Sequence, residues 1–314
     1  MLRFSHKIDI FLFIKKLSIT MSCGPPPTYL AEKNSHPRDA NISFDEGPHI
    51  YTINGDSDYM SVTTWNHSHF EKFNADKIID RMMKSKNWPN SKYYGQTREE
   101  IKAGWDANRD SAAAAGTKLH YDIECYYNKW AEEQEDIDNT FDTYQWWGLN
   151  EFVNELFEKE MKSDAIEYEY FRQFVKSAWH LIPYRTEWMI YHEELRFAGS
   201  IDFVCKSAEH NKSLIIYDWK RCKSIEKASS WNKFATREEI SYIPDTNYWH
   251  YCLQLNTYAV ILEEKYDKVV SEMYLVCLHP DNKNKSYQEF RVPNLRNEVY
   301  RLFAVREKML KEKT

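Results

Sequence analysis

The stretch RFAGSIDFVCKSAEHNKSLIIYDWK, residues 196–220, decides the fold and the chemistry. Side chains two apart on a strand face the same way. Read as a strand, 214–220 therefore puts Leu214, Ile216, Asp218 and Lys220 on one face, a carboxylate and an ammonium ending an apolar row. In the strand before it, Ile201, Phe203 and Cys205 alternate with Asp202 and Val204. The polar run 207–212 reads as the turn between them. Such a hairpin brings Asp202 beside Asp218, and two carboxylates that close repel unless a cation bridges them. Mg²⁺ suits the task, since it takes a few carboxylates and keeps sites for water and phosphate oxygens. Lys220 at its side would orient a water or stabilise charge developing on phosphate. Asp-x-Lys alone is an ordinary strand-end ion pair. It gains meaning from Asp202, Gly199, the apolar strand before it and the helix after it.

Outward from this hairpin, the pattern switches from helical to alternating at Tyr184, giving strands at about 186–193, 196–206 and 213–219. A helix is expected over about 248–265, a buried strand over 269–278, another over about 286–292 and a charged helix over 294–312. Upstream, HIYTIN (49–54) alternates like a short strand, and a helical pattern runs from Val62 to about Lys84. Thr97 with Glu100 forms a capping box opening a helix to about Trp130. A further helical segment spans about 148–179 and breaks near Ser163. The order helix, three strands, helix, strand predicts an α/β fold with a mixed central sheet and an N-terminal helical extension.

Composition bounds the rest. In 314 residues, 42% are hydrophobic and 29% charged, enough for a large core and against wholesale disorder. The net charge of −6 excludes a globally basic nucleic-acid coat, so DNA contact would need a local basic patch. The run Lys220–Arg221–Cys222–Lys223 with Lys227 is one such patch, and Trp146, Trp147 and Trp231 are candidates for stacking on unpaired bases. Six cysteines (Cys23, Cys125, Cys205, Cys222, Cys252, Cys277) include no CxxC pair, which reads as free thiols in a reducing intracellular compartment, cytoplasm or nucleus. No run approaches the ~18–20 apolar residues that span a bilayer. The segment from Ile8 to Ile14, behind Arg3 and Lys7, has a signal-like outline but a poor cleavage site; Met21 is an alternative start.

The combination Gly199–Ser200–Ile201–Asp202 followed by Asp218–Trp219–Lys220 resembles the PD-(D/E)XK nuclease superfamily, and its RecB-like branch that includes the mitochondrial genome maintenance exonuclease. Gly116 to His120 is similar to the branch's upstream Gly-x-x-x-His motif, Glu187 lies where the branch often has an acid, and Gln254 with Tyr258 matches its Gln-x-x-x-Tyr. The likeness covers about residues 112–280. It implies a restriction-endonuclease-like core at 111–292, a leader at 1–40, a strand and helical cap at 41–110 and a closing helix at 293–314. It further implies Mg²⁺ or Mn²⁺ held by His120, Asp202, Asp218 and the backbone carbonyl of Trp219, with Lys220 positioning the attacking water. Glu187, Gln254 and Tyr258 would support the site, and Arg221 and Lys223 would meet DNA, either single-stranded or at duplex ends. The implied activity is an exonuclease of repair, recombination or genome processing, on no membrane and with no iron–sulfur cluster. A structure-specific endonuclease and a catalytically silent nucleic-acid-binding protein are the alternatives. The neighbours Glu193 and Glu194 would point to opposite faces of a strand, which argues against an acid/base pair there. The Gly-poor composition, 8 in 314, suits an AT-rich microbial or large-virus genome.

Overall fold

The computed structural model describes residues 25–135, 146–207, 213–229 and 232–312. Helix α1 (Tyr29–Lys33) and a 3-10 turn (Pro37–Asn41) lead into the hairpin β1 (Ile42–Asp45) and β2 (Ile50–Ile53). Strand β3 (Met60–Ser61) runs into α2 (Val62–His67), and α3 (Ala75–Met83) follows. Three helices come next: α4 (Arg98–Glu135), α5 (Trp146–Glu160) and α6 (Ile166–Ser177). The strands β4 (Leu181–His192), β5 (Phe197–Ser207) and β6 (Leu214–Lys220) precede α7 (Asn247–Lys265), and β7 (Val270–Cys277), β8 (Gln288–Arg291) and α8 (Arg296–Lys311) close the chain. The result is an α/β fold around a mixed sheet.

Local chemistry sets several of these limits. The Thr97 hydroxyl accepts from the Glu100 amide at 3.2 Å, while the Glu100 carboxylate accepts from the Thr97 amide at 2.7 Å, the reciprocal cap expected at the start of α4. The single helix expected from Val62 to Lys84 is instead two. Ser68 turns its hydroxyl back onto the Trp65 carbonyl at 2.6 Å, and Asn74 caps a new helix by accepting from the Lys77 amide at 2.9 Å. Short polar side chains that bond their own backbone compete with helix continuation. The segment expected at 148–179 breaks between α5 and α6, around Ser163.

The leader boundary at residue 40 needs correction. Leu30 of α1 is buried at 1% exposure, and its amide donates to Asn128 Oδ1 at 2.9 Å. Asp39 accepts from Arg185 Nη1 at 2.7 Å and from Trp188 Nε1 at 3.1 Å. A five-residue helix gives no periodic signal, so only its tertiary partners reveal it. Nor is 41–110 a separate cap throughout, since β3 joins the central sheet by pairing parallel with β5 at Met60↔Phe197.

Six of the seven residues of β6 are buried, as an apolar strand covered on both faces requires. β6 pairs antiparallel with β5 and parallel with β7, whose outer edge carries β8 antiparallel. β4 lines the other edge of β5 almost throughout. Leu214 and Ile216 enter the cluster built on α7, whereas Ile215, Tyr217 and Trp219 enter the one built on α4 and α6. One feature of the sheet matters most. β5 pairs with β6 over Lys206–Phe203 and with β3 only at Ala198 and Phe197, so residues 199–202 lie at a fork between two partners.

Candidate functional site

The fork builds the site. After the rung Phe203↔Tyr217 the next would join Asp202 to Asp218. There the Asp202 carboxylate replaces a backbone acceptor, taking the Trp219 amide hydrogen at 2.9 Å. On β4 the facing residue, Glu187, has φ of 40°, in the left-handed region that non-glycine residues seldom adopt. Such a backbone costs about 1–3 kcal/mol and persists only where its surroundings hold it. Its consequence is a break in alternation. Thr186 accepts from Asn128 of α4 at 2.8 Å, and the adjacent Glu187 also turns to α4, 3.7 Å from His120 Nδ1. β5 breaks step at the same place: Asp202 lies 3.6 Å from His120 Nδ1, and Phe203 stacks on Tyr127 with centroids 4.1 Å apart.

His120, Glu187 and Asp202 thus offer ligand atoms within 4.8 Å of one another. Burial disfavours a charged His120, but the facing Asp202 and Glu187 outweigh it and lift its pKa to about 9. Its Nε2 lies 3.0 Å from the Trp219 carbonyl, the geometry of an N–H···O bond from the protonated ring. Glu187 is also held by the Ser200 hydroxyl, which donates to it at 2.9 Å. Burial raises the Asp202 pKa, His120 opposes the rise, and the charge of Glu187 adds to it.

Asp218 and Lys220 project toward α7, as the alternation of β6 demands, and pair at 2.5 Å. Asp218 is only 2% exposed, and burial raises it to about 6 against the pull of Lys220, with Asp202 pushing it further. Lys220 is held charged by Asp218 and Asp202 in spite of burial, and its Nζ sits 4.6 Å above the Tyr251 ring. Asp218 stands outside the tight set of three, so beside Asp202 the second carboxylate oxygen of that set comes from Glu187.

Gln254 and Tyr258 serve as braces. A Cβ at Gly199 would lie 2.7 Å from Tyr258 Cε1, so the glycine is what lets this buried ring lie on β5 at the fork. Gln254 Nε2 donates to the Tyr258 hydroxyl at 3.1 Å. Arg221 Nε donates to buried Glu167 at 2.9 Å, which ties the chain leaving β6 to α6. Lys223 is 77% exposed, 3.3 Å from Asp281. Trp231 and the side chains of Trp146 and Trp147 lie outside the described residues. Glu193 and Glu194 belong to the β4–β5 turn and not to a strand, and with His192 their ligand atoms also converge within 4.8 Å.

Four further residues border the site. Glu124, one turn after His120, is buried and raised to about 8, first by burial and then by Glu187. Tyr51 of β2 is raised to about 12 by burial, with the charges of Glu187 and Asp202 adding to it. Ser200, two before Asp202, and Tyr251, which continues the 254–258 stripe by helical spacing, carry a signal in their positions. Tyr51 carries none.

The donors fit a hard divalent cation. Carboxylates at Glu187, Asp202 and Asp218, the Trp219 carbonyl and one imidazole make an oxygen-rich set of the kind Mg²⁺ or Mn²⁺ takes. Burial first, and then neighbouring carboxylates, raise Asp202 and Asp218, and a bound cation would oppose both causes. His120 and the Trp219 carbonyl bond each other, so a cation taking both would need a neutral ring and that bond released. Among the described residues no helix is long and apolar enough to cross a membrane. Comparison with protein-family models finds no match, and comparison with curated proteins finds none either.

Proposed function

We propose that the chain is a metal-dependent deoxyribonuclease of the PD-(D/E)XK type, with a restriction-endonuclease-like core and an exonuclease action on DNA ends or single strands. One observation carries this reading: His120, Glu187, Asp202, Asp218 and Lys220, drawn from four elements, converge where β5 and β6 part. The motif Gly199–Asp202 with Asp218–Lys220 supports it by resemblance.

Glu187, Asp202 and Asp218, with His120 or the Trp219 carbonyl, are the groups that would hold Mg²⁺ or Mn²⁺. Such an ion supplies Lewis acidity toward a phosphodiester and lowers the pKa of a water. The chain's own part is positioning. The Trp219 amide fixes the Asp202 carboxylate, and Ser200 fixes Glu187. Lys220, a cation on the apolar wall of α7, can orient a water or meet negative charge developing on phosphate. Asp218 holds that ammonium in place. The strained backbone at Glu187 turns this acid to the same side as its chain neighbour Thr186, toward His120, which regular alternation forbids.

The test is degradation of end-labelled single- and double-stranded DNA with Mg²⁺ or Mn²⁺, comparing wild type with Lys220→Ala and Asp218→Asn. We expect cleavage to fall about 10²–10³-fold in both, the range lost with a transition-state charge stabiliser. Products shortened stepwise from an end mark an exonuclease, and internal cuts an endonuclease. Binding without cleavage in all three proteins, or cleavage surviving in both variants, would overturn the assignment.

A further inference from the structure

Just past Lys220 two thiols face each other. Cys222 Sγ and Cys277 Sγ are 4.0 Å apart. Cys277 is fully buried and sits across from Lys220 in the β6–β7 ladder, while Cys222 is half-buried where the chain leaves β6. Cys277 Sγ donates to the Cys222 carbonyl at 3.0 Å, and the Leu278 amide donates to the Lys220 carbonyl at 2.8 Å, so backbone and side chains clamp the two segments together. Tyr251 lies beside both halves: its ring is under Lys220 Nζ, and it helps to lower the Cys222 thiol pKa. Cys125, Cys205 and Cys252 are also free.

We propose that Cys222 and Cys277 form a reversible oxidation site, which hydrogen peroxide closes to a disulfide beside Lys220. The partly exposed Cys222 is the attacking thiol. Its thiolate takes the outer oxygen of the peroxide, forming S–O as O–O breaks, and the released hydroxide takes a proton to leave as water. Cys277 then attacks the Cys222 sulfur, so that S–S forms, S–O breaks and a second water leaves. Two thiols lose two electrons and two protons, and one peroxide becomes two waters. The sulfurs close about 2 Å, from contact to a bond near 2.05 Å. That movement shifts Cys222 beside Tyr251 and removes the Cys277 bond to the Cys222 carbonyl. Both changes bear on the wall that holds Lys220, and their effect on cleavage rests on the nuclease reading above.

The full chain is treated with hydrogen peroxide, alkylated with N-ethylmaleimide and weighed intact, then digested and mapped. Against unoxidised protein alkylated in the same way, we expect a species about 252 Da lighter, for two maleimide adducts not added and two hydrogens lost. It carries a 222–277 cross-link that dithiothreitol opens. The link should be absent in Cys222→Ser and unchanged in Cys252→Ser. Both thiols still alkylated after peroxide, a link through another cysteine, or oxidation to sulfinic acid without a link would overturn the site. In the cleavage assay the linked form should act at least about tenfold more slowly and recover on reduction, as expected when a transition-state group is displaced. Equal cleavage by linked and reduced forms overturns the effect on Lys220. Absence of cleavage in both forms counts against the nuclease reading, while mass and mapping still decide the thiol site.

Discussion

The same β4–β5 hairpin carries two clusters of histidine and acid, and they behave oppositely. At its closed end His192 lies 3.0 Å from Glu264, Glu193 pairs with Arg38 at 2.6 Å, and Glu194 pairs with Lys265 at 2.6 Å. Glu193 and Glu194 are 43% and 64% exposed, and both titrate below the usual carboxylate range. For Glu193 burial pulls upward and is outweighed by Arg38; for Glu194 the Lys265 ammonium is the main cause. Five residues along each strand from that end, from His192 to Glu187 and from Phe197 to Asp202, the fork buries Asp218 and most of Asp202, and burial raises both. Convergence of ligand atoms is common to the two and so identifies neither. What separates them is burial with incomplete compensation, which water and one cation per acid relieve at the turn. A charged ligand has something to supply only at the fork.

The largest test of this contrast is a pair of matched deletions. Lys220→Met leaves Asp218 buried without its cation and should cost about 3–5 kcal/mol in metal-free protein. Lys265→Met at the turn should cost less than about 1 kcal/mol, since its partner is solvated. Chemical unfolding reads both, and equal losses would break the comparison. Next, saturating Mn²⁺ should raise stability by about 2.7 kcal/mol at a hundredfold excess over its Kd. Asp202→Asn should abolish that shift and Glu193→Gln should leave it. Calorimetry with the reverse pattern would move the cation to the turn.

A smaller effect concerns what braces the fork. Gly199→Ala drives a methyl against the Tyr258 ring and should destabilise by about 1–3 kcal/mol, with Gly199→Ala/Tyr258→Leu losing less than the two single changes summed. The smallest is pH dependence in chelator-treated protein. Asp218 has a folded pKa raised to about 6, so its protonated form favours folding; that contribution is complete below about pH 4 and lost as pH rises through 6. His120, raised to about 9, contributes stability that is complete below about pH 6.5 and lost as pH rises through 9. Glu193 and Glu194, shifted down, add stability that is lost as pH falls below about 4.5. Asp218→Asn should flatten the stability curve between pH 4 and 6, and Glu193→Gln only its acid limb.

Much of this molecule is legible in its residues. Period-two alternation marked β4, β5 and β6, an apolar run marked β7, and a capping pair marked the start of α4, because these signals are local and repeat along the chain. Alternation and the hairpin point to Asp202, Asp218 and Lys220, whereas His120 and Glu187 enter only through the family resemblance. Tertiary structure decided the rest. Alternation could not show that Thr186 and Glu187 face one way, because a backbone forced to φ of 40° is stabilised by partners on α4 and β5. Nor could it show that Arg221 is taken by Glu167, 54 residues earlier, or that α1 is part of the core. Sequence determines which side chains carry charge and which faces they start from. Burial and long-range partners, set only when the sheet forks and the helices close over it, determine which of those charges remain uncompensated.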